Sequence, residues 1–458
     1  MNPHPQPNIL FILCDDLGIN DLHCYGREDH STPHLDRLAA EGTRFTSAYA
    51  SQPICSPSRA GLLTGLHPPR LHLTTYIPGR PDKRSQRVLH PEMMMQVPLS
   101  VKAWPRYFKE AGYTTGFIGK WHIGKEPGPA DHGFDHVYHP GEKMNTVPSL
   151  TEGGKGEFDL TRETIRFMEE NRDRPFAAYL GHYTPHIPYT ARRELIEKNK
   201  DAFEPVYAAL IETLDETIGL LMEKLEELDL AENTIVVFTS DNGGLHMPEG
   251  GHDRVTHNTP YRAGKGYVYE GGQRVPTIVR WPGRVPAGRV VDTPFSNIDW
   301  IPTLLEMAGY AAPEEIDGVS VAEGMRGGNL PERKFFWHFP HYTNQGGRPT
   351  GAMREGDWLL VEFYDADKAE LYRLSQDISE KEDLSSANPE RLRAMRAELD
   401  QWRRDNDVQY NRPNPECDET RFRHLYVDFD PSRFDPLHAT KEEWQRVSEW
   451  RKGMDARE

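Results

Sequence analysis

The 458-residue sequence predicts an α/β fold with a large, mostly parallel sheet flanked by helices. Short continuous apolar runs, typical of strands that are buried on both faces, alternate with helical patterns along most of the chain. Polar residues follow several of these runs, and the carboxyl ends of parallel strands share one edge of a sheet. From about residue 350, alternating runs indicate short antiparallel strands. We therefore expect an α/β domain over residues 1–345 and a smaller α+β subdomain over 346–458, with a short antiparallel sheet, a helix and an extended tail.

The composition excludes several classes of function. The formal net charge of −17 opposes nucleic-acid binding, which depends on Lys and Arg. No apolar run approaches the ~18 residues that a membrane span needs, and four scattered cysteines do not form a disulfide scaffold. The first residues lack the basic and apolar segments of a leader peptide, so we expect a cytoplasmic protein, or a periplasmic or secreted one if a leader has been removed.

The first predicted strand covers residues 8–14 and stops at two adjacent carboxylates, Asp15 and Asp16. Adjacent acids repel each other, so a bound cation would explain them, although a polar loop or a helix cap would also place acids here. A helix follows, with Thr32 as its cap and Gly42 at its end, and then a strand over residues 43–50.

Residues 55–65 read Cys-Ser-Pro-Ser-Arg-Ala-Gly-Leu-Leu-Thr-Gly and indicate a turn that enters a helix. Pro57 suits the first helical position, since its missing N–H needs no partner there. Cys55 would then lie just before a helix N-terminus, where free N–H groups favour an anionic ligand. The segment is equally compatible with a buried structural cysteine ahead of an ordinary helix.

Two later strands also end at polar residues. A helix over residues 100–111 precedes a strand over 113–119, which leads to Lys120 and His122. Their i, i+2 spacing would point both side chains the same way in an extended chain. The strand over 175–180 leads to His186, which two flanking prolines hold in an extended loop. A single lysine or histidine of this kind is more often solvated or hydrogen-bonded than functional.

The second half of the chain repeats the pattern. The apolar stripe over residues 206–228 has helical spacing and indicates core packing. The strand over 234–239 ends at Asp241 and Asn242, oxygen ligands like those after the first strand, although Asn-Gly can also be a plain turn. Lys265 lies between two glycines, which leave it little steric cover and allow it to reach a ligand.

Six segments, in this order, resemble the type I sulfatases of the alkaline-phosphatase superfamily, and the match extends from Asn8 to about Trp402. The segments cover residues 15–16, 55–64, 119–124, 185–188, 241–242 and 265–272. The resemblance implies an alkaline-phosphatase-like fold and a sulfuric ester hydrolase. One departure is Leu66, which stands where the family often has arginine, with Arg70 shortly downstream.

The resemblance also implies the cofactors. In this family a formylglycine-generating maturation enzyme oxidises the cysteine at the position of Cys55 to formylglycine, an aldehyde whose hydrate is the nucleophile. It attacks sulfur with the help of Asp241 and forms a covalent sulfate ester, and its second hydroxyl then expels sulfate. A divalent cation is held by oxygen ligands, which favour calcium. The implied metal ligands are Asp15, Asp16, Asp241, Asn242 and residue 55.

The remaining roles follow from the same resemblance. Arg59 would hold the hydrate and balance its charge, while Lys120 and Lys265 would grip the sulfate oxygens. His186 would contact the substrate, and either His186 or Lys265 would protonate the leaving oxygen. His122 would take a proton from the second hydroxyl of residue 55.

These roles leave three hypotheses for function. The first is a sulfatase acting on a sulfated carbohydrate or, less specifically, on an aryl sulfate. The second is a phosphonate monoester or phosphodiester hydrolase with the same nucleophile, and the third is a non-catalytic protein that binds sulfated glycan through an unmodified Cys55. For the first hypothesis, exposed loop residues could read sugar groups, namely His72, Arg80, His252, Arg254, His341 and Arg348. The tail after Asp405 would cover the pocket rim or a neighbouring subunit, and the oligomeric state is not indicated.

Overall fold

The computed structural model describes residues 6–140, 154–330 and 332–456. Residues 1–5, on which the expectation about a leader partly rests, lie outside the described residues. The strands are β1 (Asn8–Asp15), β2 (Thr43–Tyr49), β3 (Val88–Leu89), β4 (Thr114–Gly119), β5 (His136–Tyr138), β6 (Phe176–Pro185), β7 (Thr234–Ser240), β8 (Arg274–Arg280), β9 (Arg289–Val291), β10 (Phe295–Ser296), β11 (Lys334–Phe339), β12 (Thr350–Glu355), β13 (Trp358–Phe363), β14 (Lys368–Arg373) and β15 (Arg412–Pro413). The helices are α1 (Pro33–Glu41), α2 (Cys55–Thr64), α3 (Trp104–Glu110), α4 (Glu157–Glu170), α5 (Arg193–Lys198), α6 (Pro205–Glu227), α7 (Glu270–Gln273), α8 (Trp300–Met307), α9 (Ala322–Met325), α10 (Pro389–Asp405), α11 (Glu419–Tyr426) and α12 (Lys441–Asp455).

The large sheet has nine strands and confirms the predicted fold class. Its order is β10-β2-β8-β7-β1-β6-β4-β5, and β9 also pairs with β2. The pairings are parallel except that β8 runs antiparallel to both β2 and β7. The small sheet, β11-β12-β13-β14, is antiparallel throughout, as expected for the C-terminal part.

Strand β1 lies at the centre of the large sheet because it is apolar on both faces. Ile9, Phe11 and Leu13 pack into the hydrophobic core on one side, and Leu10 and Ile12 pack into the core on the other. The predicted apolar stripe of α6 lies in the second of these cores, so its interpretation as packing is confirmed. Two cores on one sheet are the arrangement expected of strands with continuous apolar runs.

The topology brings the expected site residues to one edge of the sheet. Strands β1, β2, β4, β6 and β7 run in the same direction, so their carboxyl ends share that edge. Strand β8 runs the opposite way and begins at this edge, which means that the loop carrying Lys265 returns to the sheet at the same place. This edge of the mixed sheet therefore carries residues that follow the parallel strands and residues that precede the antiparallel strand β8.

Several predicted helix starts are wrong by a few residues. Helix α2 begins at Cys55 itself, with Ile54 in an extended N-cap conformation, so Pro57 occupies the third helical position and not the first. The third position is also tolerated, because the first N–H groups of a helix have no intrahelical acceptor. Helix α3 begins at Trp104, since Val101 and its neighbours form a separate turn, and α8 begins at Trp300 after a short 3₁₀ segment.

Thr32 does not cap α1 as expected. Its hydroxyl instead accepts from the N–H of His23 and donates to Asp36 Oδ1 at 3.2 Å. The first N–H groups of α1, those of His34 and Leu35, donate to the carboxylate of Asp215 on α6 at 3.1 and 2.8 Å. A residue that is distant in sequence thus supplies the cap.

The C-terminal region is more ordered than the expected extended tail. Helices α11 and α12 form between residues 419 and 455 and pack around Trp450 and Val447. Strand β11 belongs to the small sheet, although it lies before residue 345 in the chain. The predicted boundary between the two domains at 345/346 stays a prediction. Among the described residues, none of the helices is long and apolar enough to cross a membrane. All four cysteines are free.

Candidate active site

Asp15 and Asp16 lie at the end of β1 and are both buried. Asp16 has a φ of 66°, which few residues other than glycine adopt, and this conformation marks the abrupt end of the strand. The N–H of Asp16 donates to Asp241 Oδ1 at 3.1 Å, so the ends of β1 and β7 are joined directly. The polar residues after these two strands therefore lie together at one edge of the sheet, as expected.

Cys55 faces both carboxylates from the first turn of α2. Its Sγ lies 3.4 Å from Asp15 Oδ1 and 3.6 Å from Asp16 Oδ1, and the residue is only 1% exposed. Burial raises the pKa of the thiol well above its ordinary value, although Lys120 and Lys265 act in the opposite direction. A thiol in this environment stays protonated at neutral pH and is a poor nucleophile.

Three buried cations match three buried carboxylates around this residue. Lys120 Nζ lies 2.6 Å from Asp15 Oδ2, and Lys265 Nζ lies 2.6 Å from Asp16 Oδ2. Arg59 Nε lies 2.8 Å from Asp241 Oδ2, and the guanidinium also donates to the carbonyl of residue 120. Burial is compensated here by pairing, as the energetics of buried ions require.

Burial and the nearby cations act in opposite directions on the pKa values of the three acids, and the balance differs between them. Burial would raise the pKa of Asp15, but Lys120 and other nearby cations hold that pKa well below its ordinary value. The pKa of Asp16 is lowered for the same reason, chiefly by Lys265. Burial dominates at Asp241 and raises its pKa to about 7 in spite of Arg59. The two acids beside Cys55 are therefore carboxylates at neutral pH.

The residues at this edge fit a hard divalent cation. Ligand atoms of Asp15, Asp16, Cys55 and His186 all lie within 4.8 Å of one another. Asn242 donates through Nδ2 to Asp16 Oδ1 at 2.8 Å, while its Oδ1 is buried without a hydrogen-bond donor among the described residues. An acceptor without a donor beside two carboxylates suits a cation that prefers oxygen ligands.

The cluster of potential ligand atoms includes one residue that was not expected as a ligand. His186 lies in it, with Nε2 3.6 Å from Asp16 Oδ2. The carboxylate of Asp241 binds Arg59 and the N–H of Asp16, and its role as a ligand stays a prediction. The Nδ1 atom of His186 donates to the carbonyl of Ile187 at 2.6 Å, and burial, with the charge of Lys265, lowers the pKa of this histidine to about 4. Neutral His186 thus presents Nε2 as an acceptor toward the site.

The backbone at His122 differs from the extended chain that the sequence predicts. His122 has a φ of 59°, so the extended chain that the i, i+2 spacing assumed ends before this residue. The Nε2 atom bonds the carbonyl of Ile77 at 3.1 Å, and Nδ1 has no partner among the described residues. Burial and the charge of Lys120 lower the pKa of His122 well below its ordinary value.

Sequence reasoning missed one charged residue of this neighbourhood, Lys155. It is 1% exposed, and its Nζ has no hydrogen-bond partner in the described part of the chain. Its backbone N–H donates to Glu157 Oε2, and Glu157 Oε1 accepts from Thr184, two residues before His186. The signal was available in the sequence, because Gly154-Lys155-Gly156 repeats the pattern of Gly-Lys-Gly around Lys265.

The loop residues expected to read a sugar are not all exposed. His341 is buried and bonds Thr74 at 2.8 Å, and Arg348 is nearly buried in an ion pair with Asp365 at 2.6 Å, so both expectations of exposure are wrong. The other four lie at the surface or half-buried, namely His72, Arg80, His252 and Arg254. Arg70, near the departure at Leu66, pairs with Asp317.

Helix α12 packs on segments that surround Lys265. Arg451 donates to the carbonyl of Asn344 at 2.6 Å and approaches that of Pro248 at 3.5 Å. Gly266 lies against Thr343, and Glu249 contributes to raising the pKa of Lys265, which burial alone would lower. A cavity of about 690 Å³ lies between the loop 248–254 and α12.

Comparison with known proteins places this geometry in a family. A family model described as Sulfatase matches residues 7–310. The chain belongs to the sulfatase family. A second model, described as N-sulphoglucosamine sulphohydrolase, C-terminal, matches residues 263–405 of this sulfatase. Sulfatases are sulfuric ester hydrolases, and the residues gathered at Cys55 lie within the first match.

The relatives of this sulfatase include enzymes named for sulfated sugars. N-acetylgalactosamine-6-sulfatase of Canis lupus familiaris is 36% identical over 372 residues, covering 73% of this chain and 69% of the relative. N-acetylgalactosamine-6-O-sulfatase of Bacteroides thetaiotaomicron is 29% identical, covering 85% of this chain and 92% of the relative. The crystal structure of Ps i-CgsB in complex with k-i-k-neocarrahexaose superposes with a TM-score of 0.74 at 27% identity, covering 98% of this chain and 100% of that chain.

Proposed function

We propose that this sulfatase hydrolyses a sulfate ester on a sulfated carbohydrate, of the glycosaminoglycan class. The observation that carries the proposal is the convergence of Lys120, Lys265 and Arg59 on Cys55 at the edge of the sheet. A sulfate ester carries its charge on terminal oxygens, and fixed cations stabilise the charge that moves during transfer. The names of the N-acetylgalactosamine-6-sulfatase relatives support a sugar as the carrier of that ester.

Residue 55 suits conversion to formylglycine better than use as a thiol, since burial keeps the thiol protonated. Formylglycine, once formed, supplies a hydrated aldehyde as the source of the nucleophilic oxygen. Arg59, which is held by Asp241, would orient that group and balance its charge. The Nδ1 atom of His122 has no hydrogen-bond partner among the described residues, so it is free to accept a proton.

A divalent cation, for which we propose calcium, would be held by Asp15, Asp16 and residue 55, with Asn242 and Asp241 or His186 completing the set. Bound there, it supplies positive charge next to the nucleophilic oxygen. Lys120 and Lys265 each contact one of the two carboxylates, and they could turn to sulfate oxygens when the cation neutralises those acids. Burial alone would lower the pKa of Lys265, but Asp16 and other nearby acids hold it well above its ordinary value, so Lys265 stays charged and suits binding of sulfate oxygens better than proton transfer.

The first test joins a mass measurement with an activity assay. Protein made in a host with a maturation enzyme is digested with trypsin, and the peptide 45–59 is weighed. We expect the mass that follows exchange of the thiol for an aldehyde, together with sulfate release from N-acetylgalactosamine 6-sulfate. Faster hydrolysis of an aryl phosphonate than of an aryl sulfate would favour the phosphonate hydrolase hypothesis. An unmodified Cys55 with tight glycan binding would favour the binding protein.

Replacement of Cys55 by serine tests the need for a second hydroxyl at this position. We expect Cys55→Ser to lose multiple turnover, because a serine ester has no second oxygen with which to expel sulfate. Sulfate release per enzyme molecule is counted over time. Cys417→Ser, which changes a half-buried thiol outside the site, serves as the matched control and should keep wild-type turnover. Repeated cycles by the Cys55→Ser protein would contradict the proposed chemistry.

Removal of the cation tests the metal site. We expect a chelator to lower both activity and melting temperature, and calcium to restore them, because a ligand that binds only the folded state stabilises it. The variant Asn242→Leu should require more calcium for the same melting temperature, since it removes one oxygen ligand. A melting temperature that does not respond to chelator or calcium would argue against a cation at this site.

A further inference from the structure

Lys155 is a buried ammonium that the proposed chemistry does not use. The residue is 1% exposed, and its Nζ has no hydrogen-bond partner among the described residues. The other two lysines of this neighbourhood are each paired with a carboxylate at 2.6 Å. A buried charge without a partner is costly, so its retention calls for a ligand that is absent from the structure.

The segment that carries Lys155 is tightly fixed. A Cβ atom at Gly154 would lie 1.6 Å from the carbonyl oxygen of Thr190, so only glycine fits there. Gly156 has a φ of 71° and is the N-cap residue of α4. The N–H of Lys155 donates to Glu157 Oε2 at 2.9 Å, and Thr184 donates to Glu157 Oε1 at 2.6 Å. These contacts join Lys155 to the end of β6, which also carries His186.

The charge of Lys155 interacts with groups of both the candidate active site and the loop 248–254. Burial lowers its pKa to about 8, and among the groups that oppose this effect Asp15 is the strongest. Burial and the charge of Lys155 together lower the pKa of His252, which lines the cavity beside α12. Asp15 and Asp16 already have Lys120 and Lys265 as partners, and the oxygens of Glu157 accept from the N–H of Lys155 and from Thr184, which leaves the Nζ of Lys155 available for an anion from outside the chain.

We propose that Lys155 is a second anion subsite, which binds a carboxylate or a further sulfate carried by the substrate beside the scissile ester. The proposal rests on the proposed function and deepens it, because it assigns two anionic groups to the preferred substrate. The repeated Gly-Lys-Gly pattern supports the assignment. In both copies the preceding glycine lies against backbone and the following glycine has a positive φ, so the lysine is presented in a similar way.

The test compares substrates that differ in one anionic group. N-acetylgalactosamine 6-sulfate is the probe with one anion, and the 4,6-disulfate and a uronate-containing disaccharide 6-sulfate each add a second. We expect wild type to prefer at least one two-anion probe, and Lys155→Met to reduce this preference in kcat/KM by about tenfold or more, mainly through KM. An equal loss of kcat/KM on all three probes would indicate that Lys155 contacts the scissile sulfate. An unchanged preference for the two-anion probes would show that Lys155 does not bind the second anion. Either result overturns the proposal.

A stability measurement separates binding from a structural role. We expect Lys155→Met and Lys155→Gln to melt at or above the temperature of wild type, because each removes an unpaired buried charge. A lower melting temperature for both would indicate that Lys155 supports the fold and would contradict the subsite. The matched control is Lys200→Met, which replaces an exposed lysine and should leave the substrate preference unchanged.

Binding without turnover keeps this inference distinct from the proposed function. Calorimetry on the Cys55→Ala protein gives Kd values for the same three probes and for inorganic sulfate. If wild type hydrolyses none of the probes, the proposed function fails, while the subsite still stands if Lys155→Met weakens only the two-anion probes. The same weakening for inorganic sulfate alone would show a free-anion site and would overturn the assignment to substrate.

Discussion

At the scale of single residues, the candidate site is a set of buried charges that neutralise one another. Arg59 lies between Asp241 and Asp15, at 2.8 and 3.5 Å, and none of the three side chains reaches solvent. Removing one partner from a buried pair destabilises a protein far more than the intact pair stabilises it. The residues proposed to act on substrate therefore also help to determine whether this edge of the sheet folds.

We expect Arg59→Met to lower the free energy of unfolding by about 1–3 kcal/mol, because Asp241, which then becomes neutral, would keep a buried carboxyl oxygen without its donor. The double variant Arg59→Met/Asp241→Asn should lose less than the sum of the two single variants, since both partners of the bond are then replaced. Urea unfolding at neutral pH measures both. Arg37→Met, which breaks an exposed pair with Glu226, is the control and should change stability by less than about 1 kcal/mol. Losses that simply add in the double variant would contradict the pairing.

At the scale of elements, the strands and their order along the chain were predictable, because runs such as residues 8–14 are apolar at every position. The polar residues that follow them meet at one edge for a reason of topology, and Asp15, Asp16, Asp241 and Asn242 are indeed brought together. Here the pattern in the sequence and the physics of a parallel sheet lead to the same result.

The features that were missed depend on contacts between distant residues. The cap of α1 comes from Asp215, 180 positions away from Leu35, and no pattern in the sequence near α1 predicts this contact. The turn at His122 has a positive φ that its residue type does not predict. Lys155 follows none of the strands that the sequence predicts, so the rule that polar residues end strands did not single it out, although its flanking glycines resembled those of Lys265.

Helix α12 gives a prediction at this scale, because it holds the segments that surround Lys265. We expect Arg451→Ala to raise KM for the sulfated sugar several-fold, with kcat changed less, since the loop 248–254 loses a contact but the site residues stay in place. Steady-state kinetics measures the split. Glu449→Ala, on the exposed face of the same helix, is the control. An unchanged KM in Arg451→Ala would show that α12 has no influence on substrate binding.

At the scale of the whole molecule, histidines buried in their neutral form make the fold sensitive to acid. Burial lowers the pKa of His182 and of His338 to about 3, and that of His246 to about 4. An unfolded histidine has a pKa of about 6.5, so below that pH the unfolded chain binds protons that the folded chain excludes. Stability is therefore complete above this range and falls as the pH falls from about 6.5 toward 4.

We expect a shift from about pH 7 to about pH 5 to cost about 2 kcal/mol of unfolding free energy for each of these histidines. Urea unfolding at the two pH values measures the total. His182→Met should reduce the loss of unfolding free energy between the two pH values by the contribution of one histidine. The variant should fold, because neither ring nitrogen of His182 has a hydrogen-bond partner among the described residues. The exposed His438→Asn is the control. A pH dependence in His182→Met equal to that of wild type would argue against this origin.

The burial of Cys55 has a consequence for the timing of synthesis. An enzyme that oxidises this thiol has to enclose it, and the folded chain leaves only 1% of the residue accessible. During translation, residue 55 emerges well before β6 and β7, the two strands that flank β1 in the folded sheet. We therefore expect the proposed oxidation of residue 55 to take place in that interval. Parallel sheets assemble slowly because their neighbouring strands are far apart in sequence, so slow assembly would lengthen the time in which a maturation enzyme can reach Cys55.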